Sequence, residues 1–152
     1  MTWPRDDAKL DRVRSLMAAQ DLDALVVRSP DNVLYLTNYW CMKGYDVAVF
    51  PREGAPTLIA MEPSADDVAR SAWTEDVRFF GGYDEHDPRP PIARSLELAL
   101  AVVAERGFDG RIGLEFSQGT QASDRMVGEP TTPTKALFDA FANGVDASGL
   151  LA

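Results

Sequence analysis

The sequence predicts an α/β domain, a mixed sheet of about five strands flanked by helices. Three observations predict it. Short apolar runs rich in Val, Ile and Phe recur along the chain, at 24–28, 47–51, 57–61, 77–80 and 111–114. They alternate with longer stretches of helical periodicity, of which 7–20 and 91–106 should pack on the sheet. Two neighbouring runs are joined by a short Gly- and Pro-bearing connection. That hairpin makes the sheet mixed and excludes an all-parallel doubly wound arrangement.

Residues 7–21 form an amphipathic pattern, with Leu10, Val13, Leu16 and Met17 at helical spacing, Asp6 or Asp7 as cap and Asp21 after the end. Ala24-Leu25-Val26-Val27 is short and apolar, as expected of a strand buried on both faces. Ser29-Pro30-Asp31-Asn32 then reads as a helix start, Ser29 capping and Pro30 at the first helical position, with Val33-Leu34-Tyr35-Leu36 helical. Val47–Phe50 and Thr57–Ala60 flank Pro51-Arg52-Glu53-Gly54-Ala55-Pro56, the predicted hairpin connection. Pro63 opens a helix carrying Val68, Ala69 and Ala72, and Val77–Phe80 is a strand closed by Gly81-Gly82. From Pro91, the residues Ile92, Leu96, Ala99, Leu100 and Val103 share a helical face that Gly107 terminates. Arg111–Glu115 is the last core strand. Beyond it, helices around 119–127 and 134–142 and an extended piece at 144–146 are expected.

At 152 residues the chain has the length of one domain, and 45% hydrophobic with 26% charged residues is the balance of a soluble globular protein. No apolar stretch reaches bilayer-spanning length, and the polar start lacks a secretory h-region, so a cytoplasmic location is expected. The net charge of −9, with no Lys/Arg cluster to offset it, would repel a phosphate backbone and argues against nucleic-acid binding. The single cysteine, Cys41, forms no internal disulfide, and its neighbours Tyr39, Trp40 and Met42 suit a packed thiol better than a nucleophile.

The single histidine, His86, sits in Asp84-Glu85-His86-Asp87 ahead of Pro88, Pro90 and Pro91. Metal ligands are normally held rigid by several packed elements, so this is read as a hydrated acidic loop. Neither glycine-rich phosphate motif occurs, and no nucleophile elbow exists for His86 to serve. Asp6-Asp7 and Asp66-Asp67 are best explained as helix-start residues favoured by the helix dipole. Composition and spacing by themselves name no reaction.

Residues 30–39, Pro-Asp-Asn-Val-Leu-Tyr-Leu-Thr-Asn-Tyr, resemble the N-I-x-Y-L-T-G-[FY] stretch of the amino-terminal domains of the creatinase, prolidase and aminopeptidase P family. The surroundings are similar too. Leu22–Val27 resembles G-[LI]-D-A-L-L-V, Gly54–Ile59 resembles D-G-x-P-x-L-I, and Gly110–Glu115 resembles x-R-I-G-[VL]-E. Val145–Leu151 resembles the run before the L-R-x-I-K-S boundary into the catalytic domain, a boundary motif that is itself missing. Asn38 stands where the family usually has Gly, and Asn tolerates left-handed backbone angles.

The resemblance implies that 1–152 is a single creatinase/prolidase amino-terminal domain with a ribonuclease H-like motif. It also implies that a pita-bread catalytic domain follows, outside this chain. That domain carries two Asp, one His and two Glu holding two divalent ions (Mn, Co or Zn), so this chain alone is expected to lack activity, catalytic residues and metal ligands. The parent would be a homodimeric hydrolase of Xaa-Pro peptide bonds, or less often of the creatine amidine, in which this domain supports dimerisation and limits access to small peptide substrates. Within that picture Tyr39, Trp40, Lys43 and Tyr45 are the candidates for contacting substrate in the neighbouring subunit. Trp40 would cover an apolar or prolyl side chain and Lys43 would meet a carboxylate. The alternative makes Tyr39 and Trp40 core aromatics and Lys43 a surface charge. Two other functions stay open: a peptide-binding module of a pseudopeptidase without metals, and an unrelated stand-alone ligand-binding domain. The downstream sequence would separate them: an intact D…D…H…E…E set supports the enzyme, the same fold without those ligands the binder, and a stop codon the stand-alone domain.

Overall fold

Asp6 starts the first helix: its carboxylate accepts the Lys9 amide at 2.9 Å, satisfying one of the donors left open at a helix start. From there the computed structural model describes residues 3–41, 44–82, 84–108 and 110–115. The elements run α1 (Asp7–Ala19), β1 (Leu22–Val27), α2 (Pro30–Thr37), β2 (Val47–Pro51), β3 (Thr57–Met61), a 3-10 turn (Glu62–Ser64), α3 (Ala65–Ser71), β4 (Val77–Phe80), α4 (Pro91–Arg106) and β5 (Arg111–Leu114). The helices and the extended piece expected beyond residue 118 lie outside the described residues.

The five strands form one sheet in the order β4-β3-β2-β1-β5. β2 is antiparallel to both β1 and β3, with Leu25 opposite Phe50 and Ala48 opposite Leu58. The flanking pairs β1/β5 and β3/β4 are parallel. The mixed sheet therefore agrees with the sequence, and the antiparallel β2/β3 pair is the predicted hairpin. Gly54 supplies the positive φ (+90°) that its turn requires.

The sheet is covered on both faces. Side chains alternate along a strand, so Ala48, Phe50, Leu58 and Ala60 face one way with Leu10 and Met17 of α1, Val33 and Leu36 of α2 and Val68 of α3. Val47, Val49 and Ile59 are equally buried on the opposite face. There α4 packs on β2, β3 and β4, burying Ala93, Leu96, Ala99 and Val102.

Four details differ from the sequence expectation. Leu16 is 63% exposed. At about 100° per residue, Leu10, Val13 and Met17 fall within a sector of about 60°, and Leu16 lies about 60° beyond Val13, off the sheet. In α4 the buried row is Ala93, Leu96, Ala99 and Val102, with Ile92, Leu100 and Val103 only partly buried beside it. β1 begins at Leu22 and ends at Val27, so Arg28 is outside it. Finally, Ser29 occupies the N-cap position of α2, but its side chain makes no capping bond. Instead the Glu115 carboxylate accepts the amides of Arg28 and Ser29 at 3.1 and 3.0 Å, tying the end of β5 to the start of α2. Among the described residues no helix is long and apolar enough to cross a membrane.

Candidate functional site

α2 ends where Asn38 turns left-handed (φ 59°, ψ 18°), a conformation Asn accepts more readily than most residues. Its side-chain amide donates to the Ser71 carbonyl at 2.8 Å, and the Trp73 amide donates to the Thr37 carbonyl at 2.8 Å. The helix end is thus fastened to the end of α3. The chain that leaves this turn alternates in burial: Tyr39 is 3% exposed, Trp40 53% and Cys41 0%. Two neighbours point into the core and the indole between them points out.

The four sequence candidates therefore separate. Tyr39 is a core aromatic, and its hydroxyl donates to Asp46 at 3.4 Å. Burial pushes its pKa up to about 12, so it is a neutral donor throughout the physiological range. Trp40 is an exposed indole, Tyr45 is partly buried, and Lys43 lies outside the described residues. Cys41 is a packed thiol, pushed up to about 12 by burial and then by the charge of Asp46, which leaves it without nucleophilic thiolate.

Asp46 was not singled out by the sequence. It is 4% exposed at the mouth of β2, accepting the Met61 amide at 2.9 Å as well as the Tyr39 hydroxyl. Burial raises its pKa above the ordinary 3.8, against the opposing pull of those two bonds. An aspartate directly before an apolar run looks like any turn residue, so only the fold reveals that this one is enclosed. The folded state holds the proton more tightly than the unfolded chain, so ionising Asp46 opposes folding. That penalty is absent below the unfolded pKa, grows as pH rises through the raised folded value, and is constant above it. Asp46→Asn, which keeps an acceptor for Met61, should therefore gain stability relative to the parent as pH is raised from about 4 to about 7. Urea denaturation at several pH values reads this, and a difference that does not change with pH would contradict the enclosure of the carboxylate.

Asp46 lies in a cleft of about 720 Å³ between the end of α2 and α3, whose walls include Trp3, Leu34, Trp40 and Met61. Asp67 and Arg70 form an ion pair at its lining. An adjoining hollow shares Trp3, Leu34 and Asn38 and holds Lys9, whose Nζ lies 4.3 Å from the Tyr35 ring centroid and 4.4 Å from that of Trp73. Across this face Trp3, Leu34, Tyr35 and Trp40 are 72, 36, 45 and 53% exposed. His86 is elsewhere, in its acidic loop, with 86% of its side chain exposed. Among the described residues no group of three or more His, Cys, Asp or Glu side chains is placed to hold a metal ion.

Residues 9–140 match the family described as the creatinase/prolidase N-terminal domain. The chain belongs to that family. The ectoine hydrolase of Halomonas elongata is 26% identical to this creatinase/prolidase N-terminal domain over 111 residues, covering 71% of this chain and 28% of the hydrolase. Among solved structures, a prolidase from Thermococcus sibiricus superposes with a TM-score of 0.58 at 14% identity, over 81% of this chain and 32% of the prolidase. The N-terminal domain of an Xaa-Pro dipeptidase from Lactobacillus brevis gives 0.52 at 13% identity, covering 94% of this chain and 97% of that domain. At identities this low the two superpositions show a shared fold alone. The match spans less than a third of the length of the hydrolase and of the intact prolidase.

Proposed function

We propose that this domain is the non-catalytic amino-terminal part of a metal-dependent hydrolase acting on C–N bonds, where it supports a homodimer and restricts the partner subunit's active site to small substrates. Short Xaa-Pro peptides are the favoured substrate class, following the relatives whose names are prolidase and Xaa-Pro dipeptidase. The relative named ectoine hydrolase favours a second reading, a small non-peptide amide-like substrate. In both, the two divalent ions (Mn, Co or Zn) belong to a following domain, and the protein works in the cytoplasm.

The observation that carries the proposal is the exposure of Trp40 on a segment whose backbone is fixed at Asn38. Exposed large apolar side chains clustered on one face mark a surface that another body covers, because keeping apolar area in water costs about 25 cal/mol per Å². An indole presented there can close over a small substrate and position it.

The test is Trp40→Ala. In this chain alone it should change stability by no more than about 0.5 kcal/mol, as for other exposed positions. In the full-length enzyme it should lower kcat/KM about tenfold on short Xaa-Pro peptides or on ectoine, whichever the enzyme hydrolyses. Unchanged kinetics on both would remove Trp40 from the site.

A further inference from the structure

We propose that the cleft beside Trp40 is a binding site for a small organic ammonium ion, held between the Asp46 carboxylate and the Trp40 and Trp3 rings. It stands apart from the role proposed above, since every group it needs lies within this chain.

Size comes first: about 720 Å³ is within the range of small-molecule sites, about 300–1,000 Å³. Charge comes next. Among the described residues three charged side chains line the cleft, and two of them, Asp67 and Arg70, neutralise each other with side chains 67 and 72% exposed. The third, Asp46, forms no ion pair with another described lining residue. The Met61 amide and the Tyr39 hydroxyl, which donate to Asp46, are both neutral. A carboxylate so enclosed is poorly solvated and gains from a cation brought close to it.

The walls decide which cation. Among the described residues the cleft offers Asp46 and the ion-paired Asp67 with two indoles, and no group of three or more metal-ligating side chains. Indole faces attract an ammonium group, most of all a methylated one whose hydration is weak. The same face already shows this chemistry, because the hollow next door seats the protein's own Lys9 ammonium between Tyr35 and Trp73. An anion would meet the uncompensated charge of Asp46, and a neutral apolar ligand would leave that charge unpaired.

Choline is the probe, with 3,3-dimethylbutan-1-ol as its uncharged counterpart of the same shape. Each is titrated into the 152-residue chain while ¹H–¹⁵N spectra follow the three indole resonances and the Met61 amide. Saturable shifts at Trp40 and Met61 are expected with choline, and the neutral alcohol should bind at least about tenfold more weakly, a difference of about 1.4 kcal/mol. Asp46→Asn should weaken choline about tenfold, and Trp40→Leu should weaken it severalfold. Equal binding of the two probes overturns the proposal, as does an absence of saturation below about 100 mM choline. The comparison of the two probes on the unaltered chain holds even if Asp46→Asn folds poorly.

Discussion

Phe50→Ala is expected to destabilise the domain by about 3–5 kcal/mol, measured by chemical denaturation. Among the described residues Phe50 is the largest fully buried side chain, and it sits on the central strand β2, opposite Leu25 of β1. Its ring faces the helices with Leu10 and Met17, and the Arg14 guanidinium lies 5.1 Å from its centroid. Removing the ring loses the transfer energy of its carbons and opens a cavity under α1 that the central sheet cannot collapse to fill. Phe50→Leu should lose far less, since it keeps most of the volume. The contrast with Trp40→Ala is the point: two aromatic residues ten positions apart, one fixing the fold and one nearly neutral to it. A loss below about 1 kcal/mol for Phe50→Ala would mean that β2 does not lie at the centre of the core.

Glu115→Ala should cost about 2–3 kcal/mol. Its Oε2 accepts two backbone amides, Arg28 and Ser29, from a segment 86 and 87 residues away in the chain. Bonds to a charged acceptor are worth about 1.5–3 kcal/mol each at full burial, and this site is only partly buried. The carboxylate also lies at the positive end of the α2 dipole. Glu115→Gln keeps one acceptor oxygen and should restore at least half of the loss. Amide exchange at Arg28 and Ser29 should accelerate in the alanine variant, a local signature that general destabilisation of the core would not single out. If those two amides exchange no faster in the alanine variant than in the parent, the carboxylate is not their acceptor.

Much of the architecture was legible from local pattern. The runs at 47–51, 57–61, 77–80 and 111–114 become strands because β-branched and aromatic residues fit a pleated surface, and the two central ones, 47–51 and 57–61, are covered on both sides. Pro91 and Gly107 bound α4 because proline fixes the first helical φ and glycine accepts the left-handed end at φ 61°. Asn38, which tolerates left-handed backbone angles, announces the turn that precedes Trp40. The candidate site was legible only in part. The motif led to Tyr39–Tyr45, but which of those aromatics is in and which is out depends on the strand and helices beneath them. Asp46, the buried charge of the cleft, carried no signal beyond its place before an apolar run.

By itself, then, the sequence determined the order of the described helices and strands, the hairpin and the turn at Asn38, because each is written in residues close together along the chain, and the family through short motifs met in order along it. Tertiary structure alone decided the strand order β4-β3-β2-β1-β5, the parallel pairing of β1 with β5, the exposure of Leu16 and the replacement of Ser29 by Glu115 at the start of α2. It also decided the enclosure of Asp46 beside Tyr39 and Met61. The physical reason is common to all of these. Burial and hydrogen-bond partnership are set by what the chain folds against, and a carboxylate 86 residues away can satisfy a helix start better than the serine placed there to cap it.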